Sequence, residues 1–193
     1  MNELFYLLLR RICPVLTGCF LLAAPAFAFE ADLNLDSASD DLKDDLKSAS
    51  LVLSAKRDGT TNPQDILAAA QADYGRLVSA FYERGYYGPV VSIRVDGREA
   101  AEIPPLANLG QISRIQLNVK SGPAFKLGEA KIAPTTKETE IPKGFSAGEP
   151  AELSVIRDAA QAGVEGWRAV GYAKAKISRE NVVADHPKRA AQR

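Results

Sequence analysis

The segment that most constrains this fold is a helix that runs into a strand. Asn62 can cap a helix, Pro63 suits its first position, and Asp65 is favourable in its first turn. Ile66, Ala70, Tyr74, Leu77, Val78 and Phe81 then recur at helical spacing as one apolar stripe. Each large member contributes about 1.5–3 kcal/mol when buried, so the stripe has to face a core. Gly85 is the natural left-handed stop, and Pro89 forbids continuation. Val91, Ile93 and Val95 next alternate with Ser92, Arg94 and Asp96, as a half-exposed strand does, until Asp96-Gly97 breaks the pattern.

A weaker copy of this junction follows at Trp167-Arg168-Ala169-Val170-Gly171-Tyr172, with Ala173-Lys174-Ala175-Lys176-Ile177 after it. Both copies set an aromatic residue four positions before a Gly-Tyr pair. Repetition of one supersecondary unit is a signal of organisation rather than of chemistry.

The remaining segments fill in around these two junctions. Phe29, Ala31, Leu33 and Leu35 have period two and predict a first strand over 29–36. Ser37 and Ser39 offer capping hydroxyls, Asp40 and Asp41 suit a helix start, and Leu42, Leu46, Ala49 and Leu53 predict one helix of about 14–16 residues. After the long 85–97 strand junction, residues 98–111 with Pro104-Pro105 predict a surface loop, and Ile115, Leu117 and Val119 a third strand. The order strand, helix, helix, strand, strand implies an α+β fold: a small three-stranded sheet covered by two helices. Ser121-Gly122-Pro123 is a joint to a second unit. There Phe125, Leu127, Ala130 and Ile132 predict a strand, with Gly128 as a bulge position. Residues 151–169 predict a helix with Leu153, Ile156, Ala160, Val164 and Trp167 on one stripe, and 173–183 another strand. A third strand is missing from this copy. The expected division is 1–28 signal peptide, 29–121 first unit, 122–185 second and incomplete unit, and 186–193 tail.

Composition excludes several classes. Of 193 residues, 24 are basic and 24 acidic, so no net field draws nucleic acid or anionic lipid. Arg10 and Arg11 precede an apolar run over 12–24, and Ala26-Phe27-Ala28 offers a small-x-small site, which predicts a secretory signal peptide cut after Ala28. The run is too short for a spanning helix, which needs about 20 residues. Leu16-Thr17-Gly18-Cys19 is a competing lipoprotein-like pattern, but the apolar run continues past it to a better cleavage site. Cys13 and Cys19 both lie in the leader, so the mature chain is expected to hold no cysteine, and neither disulfide nor thiol chemistry. Removing residues 1–28 takes away Glu3, Arg10 and Arg11, leaving 22 basic and 23 acidic residues.

The residues argue against an enzyme. His186, the one histidine, precedes Pro187 in the tail, with no second histidine or mature-chain cysteine to join it at a metal. Asp40, Asp41, Asp44 and Asp45 do not match the spacing of a calcium loop and read as a solvated helix face. Gly85, Gly88 and Gly97 fit helix-end and turn duties rather than a phosphate cradle. No catalytic residue, metal site or cofactor is expected.

Three stretches, 82–100 (YERGYYGPVVSIRVDGREA), 115–132 (IQLNVKSGPAFKLGEAKI) and 145–173 (FSAGEPAELSVIRDAAQAGVEGWRAVGYA), carry a resemblance to POTRA domains. These are the periplasmic modules of outer-membrane assembly and secretion proteins, and the wording is close to the TamA-type branch of the BamA/TamA superfamily. The resemblance covers roughly 29–185, and the Gly-Pro-x-Phe-x-Leu-Gly joint is its most specific part. It implies a periplasmic location at the outer membrane and action by protein–protein contact. Its implied partners are outer-membrane client proteins and an inner-membrane-anchored TamB-like protein. It also implies that the second strand of the unit is the partner-binding edge, here Val90, Val91, Ser92, Ile93, Arg94 and Val95, which would accept an extended segment by strand addition. Family members continue into a membrane β-barrel, and nothing here resembles barrel strands. The chain therefore reads as a gene fragment or truncated variant, with a small stand-alone periplasmic adaptor or lipoprotein as the alternative.

Overall fold

A computed structural model of the chain describes residues 29–36, 39–183 and 185. The signal-peptide expectation for 1–28, with Cys13 and Cys19, and the 186–193 tail with His186 lie outside the described residues.

The first unit is an α+β layer. Strand β1 (Glu30–Leu35) is followed by helices α1 (Asp40–Ala49), α2 (Leu51–Arg57) and α3 (Pro63–Glu83). Strands β2 (Val90–Val95), β3 (Arg98–Glu99) and β4 (Arg114–Lys120) follow. The sheet order is β1-β4-β2-β3. β4 is central, parallel to β1 and antiparallel to β2. The register stacks Ala31, Leu33 and Leu35 beside Ile115, Leu117 and Val119, and these beside Val95, Ile93 and Val91. With period two, that puts all nine on one face. The fully buried members, with Leu42, Leu46, Val52, Ile66, Leu67, Ala70, Leu77 and Phe81, form one core between sheet and helices.

The helix ends follow local chemistry. Asn62 Oδ1 accepts the Gln64 N–H at 2.9 Å, Pro63 opens α3, and Ser39 Oγ accepts the Leu42 N–H at 3.3 Å.

Three expectations need correction. The sheet has four strands, because Asp96 (φ 47°) and Gly97 (φ 85°) form a tight turn that folds Arg98–Glu99 back on Arg94 and Val95. The stretch expected as a loop thus begins as a strand and continues as a single 3-10 turn at Ala100–Glu102. The expected single first helix is two, broken at Ser50, which ends α1 and caps α2. The break is held from α3: Asp73, 0 % exposed, accepts the Ser50 hydroxyl at 2.6 Å and the Leu51 and Val52 N–H groups at 2.7 and 3.1 Å. A carboxylate is thereby buried with its lone pairs satisfied at the positive end of α2. The third correction concerns the second unit, whose expected strands at 125–132 and 173–183 do not form among the described residues. What exists there is one bridge, Lys126 to Pro150, and helix α4 (Leu153–Ala169). An extended segment needs a neighbour for its N–H and C=O groups, and the described residues of the second unit include no counterpart of β4.

Candidate functional site

The repeated junction is the same device twice. Where α3 ends, the Gly85 N–H bonds the Tyr82 carbonyl at 3.1 Å and the Tyr86 N–H bonds the Phe81 carbonyl at 2.9 Å. Where α4 ends, the Gly171 N–H bonds Arg168 at 3.0 Å and the Tyr172 N–H bonds Trp167 at 3.1 Å. Both are the helix termination that needs a left-handed residue, and Gly85 and Gly171 supply it at φ 78° and 99°. That termination favours an apolar contact between the residue after the glycine and the one four before it. Here the contact is aromatic in both copies: Phe81 and Tyr86 meet edge to face at 6.0 Å, Trp167 and Tyr172 at 5.1 Å. The spacing seen in the sequence has this geometry as its cause.

The first junction also holds the second unit. The Gly85 carbonyl accepts the Phe125 N–H at 2.8 Å, the Phe125 carbonyl accepts the Ala151 N–H at 3.0 Å, and the Ala151 carbonyl accepts the Tyr87 hydroxyl at 2.7 Å. Tyr87 packs edge-on against Phe125 at 5.6 Å and also contacts Tyr82 at 5.1 Å. Arg157 on α4 pairs with Glu83 on α3 at 3.0 Å, both well exposed and so a minor contribution. Tyr87 thus packs on the end of α3 and ties the two units together.

The candidate edge, Val90–Val95, is β2, and its two sides differ. The Asp96 N–H bonds the Arg114 carbonyl, so by antiparallel alternation Val90, Ser92 and Arg94 point their peptide groups at β4. Val91, Ile93 and Val95 point theirs outward. Val95 meets Arg98 of β3. The Ile93 N–H donates to Glu99 Oε1 at 3.0 Å, and its carbonyl accepts the Tyr74 hydroxyl at 3.2 Å. The single Tyr74 hydroxyl hydrogen is shared between that carbonyl and Glu99 Oε1, and Ser92 Oγ donates to Glu99 Oε2 at 2.8 Å. Burial works against the Glu99 carboxylate, but the hydrogen bonds from Tyr74, Ser92 and Ile93 outweigh it and hold its pKa below the usual glutamate value. Burial, followed by the bond to Glu99, pushes the Tyr74 pKa up to about 12. That leaves Val91, beside a 61 %-exposed Val90, as the β2 position whose outward peptide groups meet no partner among the described residues.

On the opposite edge, the Glu30 N–H bonds the Ser113 carbonyl, so Ala31, Leu33 and Leu35 point outward from β1. Lys56 on α2 donates to the Ala31 carbonyl at 3.1 Å and covers that end. A different surface lies in the second unit. An open groove of about 1290 Å³ runs between α4 and the extended arms that contain 125–134 and 172–183. Ile132, Val164 and Trp167 contribute to its apolar lining, and five basic side chains border it against three acidic ones.

Sequence reasoning missed Glu99, Tyr74 as a polar group, and Asp73. Tyr74 was placed on the apolar stripe, and nothing in a 3.6 period tells which ring carries a working hydroxyl. No model of a known protein family matches the chain, and no curated protein matches it either.

Proposed function

We propose that the chain is a POTRA-like periplasmic segment of a TamA-type outer-membrane assembly protein, acting as a protein–protein interaction module without catalysis or cofactor. It binds outer-membrane clients, or an inner-membrane-anchored TamB-like partner, by strand addition at the β2 edge. The observation that carries this reading is the outward, unpartnered backbone of Val91 next to the exposed Val90, on a sheet whose other face is sealed by helices. An incoming strand satisfies such groups directly. The β1-α1-α2-α3-β2-β3-β4 order and the joint held by Gly85 and Tyr87 agree with a modular arm.

The test is photo-crosslinking in cells from a benzoylphenylalanine placed at Val90, with Asp65, an exposed position on α3, as control. The expected result is a crosslink from Val90 to outer-membrane proteins or to the TamB-like partner that Asp65 does not give. Equal yields from the two positions would remove the edge as the binding site, and reproducible hydrolase turnover by the purified protein would remove the non-enzymatic reading.

The groove beside α4 favours a second binding mode within the same function. Its border, with Lys126, Lys131, Lys174, Lys176 and Arg179, fits an extended client segment that alternates apolar and acidic residues. The alternative of a small stand-alone adaptor or lipoprotein is separated by the mass of the mature N-terminus, since an acylated Cys19 would replace cleavage after Ala28.

A further inference from the structure

We propose that Tyr74 and Glu99 form a latch that closes the β2 edge at Ile93, so that a partner strand reaches beyond Val91 only by displacing them. The proposal rests on the strand-addition reading and adds the control of that site. Ile93 is where a strand seeded at Val91 would make its next pair of hydrogen bonds, because outward-facing groups recur every second residue. Both of those groups are already taken, the N–H by Glu99 and the carbonyl by Tyr74. The two latch residues come from different elements and are joined to each other. The latch is also held in place from behind. One turn before Tyr74, Gln71 Nε2 donates to the Ala100 and Ile103 carbonyls at 3.0 and 2.7 Å, fixing the chain just after Glu99. Ser92 Oγ holds the second carboxylate oxygen.

A side-chain latch differs from a paired strand in one useful respect. A full-length β3 would shut the edge permanently, whereas two side chains can swing aside without unfolding the sheet. Val91 stays open as the point of first contact, and β3 at Arg98–Glu99 stops the addition at Val95. The site therefore takes a short extended segment, and its affinity is set by the competition between that segment's backbone and the latch.

The experiment uses the full chain and a capped synthetic peptide of residues 89–96, whose sequence pairs antiparallel with β2 in principle. Binding and amide exchange are followed for wild type, Tyr74→Phe, Glu99→Ala and the double variant. Tyr74→Phe keeps the ring and its packing, so it reports on the latch even if Glu99→Ala perturbs the β2–β3 turn. The expected result is faster exchange at Ile93 in each variant, and peptide affinity in the double variant raised about tenfold over wild type, with protection gained at Val91 and Ile93. Equal affinity across all four proteins, with protection at Val91 and Ile93, would overturn the latch and leave strand addition standing. Protection at neither residue in any protein would overturn both.

Discussion

The two units share one junction and reach different ends. In each, a helix stops at a left-handed glycine, and a tyrosine after it packs on an aromatic four residues before it. After Tyr86 the chain becomes β2, paired along its whole length with β4. After Tyr172 it makes two turn hydrogen bonds, Ala173 to Gly171 and Ala175 to Tyr172, and then runs on without joining a sheet among the described residues. The lesson is that the junction aims the chain but does not make a strand. β4 does that, arriving later in sequence and lying between β1 and β2. A pair of segments without such a centre is marginal in water.

Replacing the equivalent aromatics should have the largest and most unequal effects on the two units. Phe81 is fully buried in the core, so Phe81→Ala should cost about 3–5 kcal/mol. Trp167 is half-buried at the groove, so Trp167→Ala should cost about 1–2 kcal/mol despite the larger ring. Chemical denaturation of both variants checks this; equal costs would mean that the second unit has a core as complete as the first.

The junction glycines sharpen the contrast at smaller scale. A Cβ at Gly85 would lie 3.1 Å from the Ala151 carbonyl oxygen, whereas one at Gly171 would meet nothing within 4 Å. Both substitutions carry the left-handed penalty of about 1 kcal/mol. Gly85→Ala should therefore cost more than Gly171→Ala and loosen the hydrogen bond between Gly85 and Phe125. Thermal unfolding of the two variants gives the ranking, and the reverse order would show that the units do not meet at Gly85.

The smallest effect expected is with pH. Glu99 has a depressed pKa in the fold, so its stabilisation is present above the ordinary glutamate value of 4.5 and is lost as pH falls through the folded value. Arg94 on β2 and Tyr74 on α3 are the neighbours that sense the change. Amide shifts at Ile93 in an acid titration should have their midpoint below pH 4.5; a midpoint above that value would contradict the hydrogen bonding described for Glu99.

What the sequence revealed and what it hid divide along local and non-local physics. The Asn62 cap, Pro63, the Gly85 stop and the apolar stripe of α3 depend on neighbours within a turn, and all are in place. The helix break at Ser50 depends on Asp73, 23 residues away, and a polar residue in mid-helix reads as a solvent-facing one. Leu67 was likewise absent from the expected stripe and is buried. β3 is two residues long, below what periodicity can detect. The arms 125–132 and 173–183 have alternation enough to suggest strands, but alternation states a preference and pairing needs a partner. For the candidate edge, its position was legible and its occupancy was not. Whether outward groups are free depends on Tyr74 and Glu99 reaching Ile93 from α3 and β3.

The first unit pairs its strands on β4, whereas residues 125–132 and 173–183 join no strand among the described residues. Residue-resolved amide exchange on the intact chain tests this difference most directly. Strong protection is expected at Val90, Ser92 and Arg94, which bond β4, and exchange close to that of unstructured peptide at residues 176–182. Protection of 176–182 equal to that of Ser92 and Arg94 would contradict it.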